Sequence, residues 1–469
     1  MSIGLTEEQS ALASSLAEWA ADRGFAEQVR AAEGEPSSAL LARWSDLAGL
    51  GVLGIGVPES AGGAGGSLVD LACALEAAAA GMVPGPLLST AVAAALLAEQ
   101  ADSAAGKRFL PGICDGSVRV GLAPSASDLR SDDGSVSGRV PVVADGGRAT
   151  HLLVGSRGVG SGHETWHLVP AEAAGVGIDD ASQGPDLSRT VGSVRLDGVL
   201  VESDARIDVP AGHVSDLLLV LAAAEATGVA RWALGTAVEY ARVREQFGRK
   251  IGSFQAIKHL CAEMLERAES ATAVAWDAAS AHAAGGDQLR FAARVAGAVS
   301  LDAAVENAKD CIQVLGGIGF TWEHDAHLYL RRALGTRQLL GGTDRLRVEV
   351  TDLALDGARR SPQIELGEEA ETVRASIRGD VDRVASARGS DRRTALVETG
   401  LLMPHWPRPF GRGSGPREQL VIDEELTAAG VERPGLGIGA WAVPTILAHG
   451  TQAQQERFVP ATLRGEIVW

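Results

Sequence analysis

Tyr240, Arg244 and Phe247 stand at i, i+4 and i+7 in the stretch YARVREQFGRKIGSFQ, residues 240–255. On a helix this spacing sets a hydroxyl, a guanidinium and an aromatic ring on one face, suited to a flat, anionic group. Gly248 suits a left-handed cap where that helix is expected to stop, and Ser253 is placed to N-cap the next one. Phe254 and Gln255 then fall in a first turn whose unpaired N–H groups and positive dipole end favour a phosphate. Downstream, in CIQVLGGIGFT (residues 311–321), a helix is expected to end on Gln313. Gly316, Gly317 and Gly319 there permit a sharp turn or close approach of backbone to a ligand. Taken singly, Arg244 reads as a solvated helix arginine, Phe247 as core and the glycine run as a helix-ending turn. Their order and joint spacing are much less common.

The rest of the chain must supply the elements that hold these groups. At 469 residues it is long enough for roughly three domain-sized units, each with its own core. With 42 basic against 60 acidic residues the net charge is −18, which argues against a nucleic-acid or anionic-membrane surface. An anionic ligand must therefore be met by local cations. Cys73, Cys114, Cys261 and Cys311 lie far apart with no CxxC or CxxH spacing. They read as small buried hydrophobes in a reducing compartment, with neither metal nor disulfide expected. The start, MSIGLTEEQS, is acidic and lacks an apolar h-region, so no signal peptide is expected. The most apolar stretches, Leu68 to Leu97 and Leu217 to Leu234, are interrupted by Glu76, Pro84 and Pro86 and by Glu225 and Arg231. They read as buried helices and not as membrane spans.

Thr6 and Gln9 form a Thr-x-x-Gln capping box before a helix with apolar Leu12, Leu16 and Trp19, and helical texture continues to about Leu110. The glycine-rich loop that opens Gly56 to Gly81 lacks the Lys-Ser/Thr of a P-loop and the strand–GxGxxG–helix context of a dinucleotide turn. From Val118 to about Arg206, short β-branched runs such as SVRVGLA, THLLVGS and GSVRLDGVLV alternate with Gly, Asp and Ser. They predict a small antiparallel sheet or barrel. Beyond Ala211 long helical patterns return, at Ser253 to Ala284, Gln288 to Gly316, Glu323 to Leu340 and Asp344 to about Leu355, a set expected to pack as a bundle. His324 and His327 stand beside Glu323 and Asp325, but no third metal ligand is identifiable. A helix N-terminus with acids in its first turn accounts for those carboxylates.

After Asp356, GARRSPQIELGEEAE is polar, contains a proline and reads as a linker. Gly400, Pro407, Glu425, Pro460 and Gly465 then repeat Gly51, Pro58, Glu76, Pro111 and Gly116 at one offset (400 − 51 = 349, 465 − 116 = 349), which marks an internal duplication.

RxxFG followed by xxIxxFQ, and then QxxGGxGFTWEHDAHLYLRRA at Gln313 to Ala333, resembles the carboxy-terminal helical domain of acyl-CoA dehydrogenases. The resemblance implies a mainly α chain with a β middle domain. The expected order is a helical amino-terminal domain over 1–117, a β domain over 118–210 and a four-helix-bundle-like domain over 211–358. A linker over 359–372 and a second helical amino-terminal domain over 373–469 follow. The loop within Gly56 to Gly81 resembles the family's PE-x-x-GG-x-G turn, whose glycines are structural. The resemblance further implies FAD, with Arg244, Gln246, Phe247, Phe254, Gln255, Gln313, Gly316 and Gly317 holding the pyrophosphate and adenosine of a neighbouring subunit's flavin.

The flavin-ring segments depart from the family pattern. Ala123 to Asp128 (APSASD) replaces a Glu-Pro-Gly-Ala-Gly-Ser-Asp loop, and Val140 to Asp145 (VPVVAD) replaces a Trp-Ile-Thr/Ser segment. The two places where the family carries its catalytic Glu hold Gly341 and Leu218. Asp216 and Glu225 are candidates on the same helix as Leu218, though both read more readily as solvated helix acids. The first unit is therefore expected to be a non-catalytic partner that completes the FAD site of a second unit, as in the paired acyl-CoA dehydrogenases of steroid side-chain degradation. The second unit is expected to continue past Trp469. The implied substrate is a bulky acyl-CoA, the implied acceptor an electron-transfer flavoprotein, and the setting a cytoplasmic homo-oligomer. Two other readings stay open: both units bind FAD and are active, or the protein is a non-enzymatic acyl-CoA-binding scaffold.

Overall fold

The computed structural model describes residues 5–33, 41–132, 134–157, 162–181, 184–361, 366 and 369–469. The chain divides into two compact units, residues 2–362 and 363–469. The first opens with six helices: α1 (Glu7–Arg23), α2 (Phe25–Ala31), α3 (Trp44–Gly49), α4 (Leu68–Ala80), α5 (Leu87–Ala98) and α6 (Ala104–Cys114). The Thr6 box starts the first of them: Gln9 N–H donates to Thr6 Oγ1 (3.1 Å), and Thr6 N–H donates to Gln9 Oε1 (3.0 Å). Alanine and leucine cover α4 and α5 on every side, and both helices are core. In the glycine-rich loop the Gly65 and Gly66 amides bond Val57 O and Ile55 O at 2.8 Å. A Cβ on Gly63 would lie 2.1 Å from Val57 O. These glycines serve close packing, and the loop amides are already taken.

The middle of the unit contains β1 (Val120–Leu122), β2 (Arg130–Asp132), β3 (Ser135–Ala144), β4 (His151–Arg157), β5 (His163–Pro170), β6 (Val176–Ala181), β7 (Val191–Leu200) and β8 (Arg206–Pro210). They form one sheet in the order β6-β7-β3-β1-β4-β5-β8, with β2 on β3. All pairs are antiparallel except β1 with β4, which runs parallel and makes the sheet mixed.

Then come α7 (His213–Val243), a hairpin of β9 (Glu245–Gln246) and β10 (Arg249–Lys250), α8 (Gln255–Ala281), α9 (Gly286–Leu315), α10 (Ala326–Leu339) and α11 (Asp344–Leu355). Helix α7 is long and apolar enough to cross a membrane by length and composition. Here it is the central core helix, packed against α4, α5, α8 and α9. The buried residues of α8 are mostly Ala and those of α9 include seven Ala and a Gly, which lets these long helices approach α7 closely.

The second unit contains α12 (Glu369–Ser386), α13 (Ser390–Glu398), α14 (Pro416–Ala428), α15 (Gly439–His449) and α16 (Gln452–Arg464) around Trp406, Val421, Ile422 and Leu463. Residues 369–372, expected in the linker, already belong to α12; much of the rest of that linker lies outside the described residues. Positions related by the 349-residue offset share local features. Pro111 sits inside α6 and Pro460 inside α16. Gly51 and Gly400 have φ 75° and 71°, and Gly116 and Gly465 have 79° and 78°. Residues 467–469 form no strand, and the Trp469 indole donates to Thr462 Oγ1 (2.9 Å).

Candidate functional site

The β9–β10 hairpin pairs Gln246 with Arg249 and Glu245 with Lys250. Its two turn residues, Phe247 and Gly248, have φ 52° and 76°, as a two-residue type I′ turn requires. Gly248 adopts this conformation freely, whereas Phe247 is held in it at a cost of roughly 1–2 kcal/mol. The turn drives the Phe247 ring into solvent, 92% exposed. Helix α7 thus ends at Val243 and not at Gly248. Arg244 follows in extended backbone (φ −69°, ψ 130°), so Tyr240, Arg244 and Phe247 do not share a helical face.

The hairpin brings them together by another route. A cleft of about 520 Å³ is lined by Tyr240, Arg244, Gln246, Phe247, Phe254, Gly316 and Gly317, with Ile251, Ile257 and Leu315 in its apolar wall. Gln255 and Gln313 are outside this lining and exposed, Gln255 as the first residue of α8 and Gln313 on α9. Helix α9 runs past Gln313 to Leu315 and is capped by Gly316 at φ 61°. Ser253 does not cap α8. Its hydroxyl donates to Lys250 O (2.7 Å), and Phe254 takes the N-cap position with no side-chain bond to the helix. The first-turn N–H groups of this 27-residue helix therefore stay open beside the cleft, at the positive end of its dipole. The Phe247 and Phe254 rings meet edge to face (6.2 Å, 88°), and the Arg249 guanidinium lies 4.1 Å above Phe254.

Among the described residues no hydrogen bond or ion pair engages the Arg244 side chain. In a chain of net charge −18, a guanidinium without a carboxylate beside an apolar wall is an arrangement that seeks an anion. Aromatic edges, glycine backbone, open helix N–H groups and a free guanidinium together fit the nucleotide end of a dinucleotide such as FAD.

A second cleft, about 550 Å³, lies between the sheet and the bundle, lined by Pro124, Ser125, Gly212, Ser215, Gly341 and Arg345 among others. Gly341 brings no side chain to it, and Leu218 is buried in the core away from it. The acids nearby are engaged. Arg294 pairs with Asp216 and with Glu349 (3.2 Å), Arg345 also pairs with Glu349, and Glu164 accepts from the Trp166 indole (3.1 Å). The expectation that Asp216 and Glu225 are solvated is overturned: both are buried, because α7 is the core helix. Glu225 accepts from Arg189, whose pKa burial would lower but which Glu225 and Asp186 hold above its usual range. Among the described residues lining this cleft, both carboxylates, Glu164 and Glu349, have a hydrogen-bond or ion-pair partner.

The ring-side segments are likewise committed to structure. Ala123 and Ser127 N–H bond Leu153 O (3.0 Å) and Gly155 O (2.8 Å), and Ser215 Oγ donates to Pro124 O (2.8 Å). Val140 to Ala144 belongs to β3, and Asp145 just beyond it is buried, accepting from Ser89 Oγ at 2.9 Å. Burial pushes the Asp145 carboxyl up to about 6. These segments offer no hydroxyl-rich, glycine-rich loop to a flavin ring.

Among the described residues no three His, Cys, Asp or Glu side chains cluster as metal ligands. His324 Nδ1 accepts from Ala326 N–H (3.1 Å), and Glu323 and Asp325 precede α10 instead of lying in its first turn. The cysteines are unpaired, and burial pushes the Cys73 and Cys311 thiols up to about 12.

Residues 220–352 match the acyl-CoA dehydrogenase C-terminal domain, and the acyl-CoA dehydrogenase N-terminal domain matches twice, at 6–117 and 368–466. The chain belongs to the acyl-CoA dehydrogenase family, whose members are FAD-binding oxidoreductases. It is 48% identical over 430 residues to acyl-CoA dehydrogenase FadE34 of Mycobacterium tuberculosis, an alignment covering 91% of this chain and 58% of that protein. With acyl-CoA dehydrogenase IpdE2 of the same organism it shares 33% identity over 294 residues, 62% of this chain and 79% of that one. The solved Tcur3481-Tcur3483 steroid ACAD aligns with a TM-score of 0.66 at 29% identity, over 75% of this chain and 99% of that chain.

Proposed function

We propose that the first unit is a non-catalytic partner that grips the adenosine and pyrophosphate of an FAD whose ring is seated in a second unit. The protein as a whole would desaturate an acyl-CoA thioester between its α and β carbons. The observation that carries this reading is the unpaired Arg244 in a cleft beside an open helix N-terminus, in a unit where Gly341 and Leu218 hold the base positions. FAD, when bound, supplies the hydride acceptor. Arg244 would offset pyrophosphate charge, and the first turn of α8 would donate to its oxygens. Phe247 and Phe254 would offer aromatic surface to the adenosine, and Gly316 and Gly317 would let the backbone come close. Gln246, Gln255 and Gln313 supply hydrogen bonds at the rim.

Desaturation also needs a carboxylate near the α-carbon in a dry site and donors for the charge that develops on the thioester oxygen. The described acids lining the second cleft are engaged by Arg294, Arg345 and the Trp166 indole, so the base is assigned to the second unit. Likeness to the solved steroid ACAD supports a bulky, steroid-derived acyl group; an electron-transfer flavoprotein as acceptor and a cytoplasmic homo-oligomer as the assembly complete the proposal. The test is to purify the 469-residue chain alone. It should be colourless and without desaturase activity; a yellow, active preparation overturns the division of labour.

A further inference from the structure

A cavity of about 250 Å³ lies within the β domain and shares no lining residue with either cleft described above. Its walls come from β2, β3, β5 and β8 and from the connection between β7 and β8. His167 on β5 lines it. That side chain is 3% exposed, and among the described residues neither ring nitrogen has a hydrogen-bond partner. Burial, and then the charge of Arg206 opposite it in the β5–β8 register, push the His167 pKa down to about 4. The ring is therefore uncharged under ordinary conditions and offers one N–H donor and one acceptor nitrogen. Buried polar groups without a partner are rare because they are costly, and this one faces a cavity.

The other lining groups narrow what would satisfy it. The charges are already neutralised: Arg108 pairs with Glu202, and Arg206 donates to Asp208 from Nε (3.2 Å) and Nη2 (3.1 Å). An ionic ligand finds no unpaired counter-charge here. The unengaged groups are hydroxyls, since among the described residues no side-chain hydrogen bond involves Ser131 or Ser203. Val136 and Val201 supply apolar wall, and the lining holds no aromatic ring besides the imidazole, so a flat heterocycle has nothing to stack on. A ligand that carries no charge, both donates and accepts, and presents C–H groups between its polar atoms meets all these conditions. Vicinal hydroxyls do so. The volume lies below the ~300–1,000 Å³ of sites for drug-sized ligands, which limits the occupant to a molecule such as a pentose or smaller.

We infer that this cavity is a binding site for a small neutral polyol, with a vicinal diol paired to His167 and to the Ser131 and Ser203 hydroxyls. The site goes beyond the flavin reading and does not depend on it: neither Arg244 nor the second unit takes part. Vicinal diols occur both in sugars and in shorter polyols, and the test separates the two.

The test is saturation-transfer difference NMR on the 469-residue chain, with D-ribose and glycerol as probes and adenine and acetate as controls. Transfer to a polyol and to neither control is the expected result; D-ribose alone identifies a sugar, and glycerol, alone or with it, a shorter diol. His167→Leu removes both nitrogens without leaving a buried polar group, so it should abolish the transfer while the urea midpoint stays at or above wild type. Ser203→Ala, at an exposed rim position, should weaken binding by roughly two- to tenfold, the range for one neutral hydrogen bond. No transfer to either polyol, as when the cavity holds water alone, overturns the inference. So does polyol transfer that His167→Leu leaves undiminished, or transfer to adenine or acetate that it abolishes. If His167→Leu lowers the urea midpoint, Ser203→Ala decides alone, and an unchanged affinity there overturns the site.

Discussion

One nitrogen of the Arg189 guanidinium donates to both carboxylate oxygens of Glu225 at 2.9 Å, with both side chains buried. Asp186 and Arg332 extend the network, and Arg332 reaches Val83 O (2.9 Å), so helices α7 and α10 and the connection between α4 and α5 are pinned to the loop before β7. Glu225 is therefore a structural carboxylate. Breaking a buried pair leaves an uncompensated charge, and Glu225→Ala should destabilise the first unit by about 3–5 kcal/mol in urea unfolding. Glu225→Gln, in the intact protein under conditions where it stays folded, should keep its flavin content and turnover. A loss of turnover of a thousandfold with folding intact would make Glu225 a base instead.

Arg244 has no side-chain partner among the described residues, so Arg244→Ala should leave the unfolding free energy within about 0.5 kcal/mol of wild type. In the intact protein it should weaken flavin retention by about 10–100-fold, the range for losing hydrogen bonds to a charged group of ~1.5–3 kcal/mol. Flavin released on dialysis, followed by absorbance, reads this directly. Unchanged flavin content would remove Arg244 from the site.

An acid at position 341, one of the two proposed base positions, should not restore chemistry. Gly341 has φ 77°, which a non-glycine residue adopts at roughly 1–2 kcal/mol. A Cβ there would lie 3.7 Å from Arg345 Nε, so a new carboxylate meets a guanidinium before it meets any substrate. Gly341→Glu should lower the melting temperature slightly and leave the desaturation rate of the intact protein unchanged. A gain in rate would contradict the assignment.

Glu99 accepts from His213 Nε2 and His282 Nε2, each at 2.7 Å, and ties the end of α5 to the start of α7 and the end of α8. Burial pushes its carboxyl up, but the two histidines outweigh that and hold it at about 2, below its ordinary 4.5. A depressed carboxylate contributes stability that is full above its unfolded pKa and is lost as pH falls through the folded one. Wild type should exceed Glu99→Gln in urea midpoint at neutral pH, with the gap closing between about 4.5 and about 2. A gap that is constant with pH would rule out the linkage.

Much of this was legible from local pattern. The Thr6 box, the apolar runs of α4, α5 and α7 and the β-rich middle all follow from neighbours in sequence. What was not legible depends on partners far along the chain or on an unusual turn. Phe at a positive φ is uncommon, so the spacing of Tyr240, Arg244 and Phe247 looked helical although a type I′ turn reverses the chain at Phe247 and Gly248. Ser253 resembled a cap until its hydroxyl was claimed by Lys250 O. Asp216 and Glu225 looked solvated because Arg294 and Arg189, which bury them as pairs, stand many residues away.

The most direct measurement of the central claim is the flavin stoichiometry of the intact protein, from the visible absorbance of a freshly purified sample against its polypeptide concentration. One FAD for each pair of dehydrogenase units is the predicted result. Two FAD for each pair, or none, would contradict it.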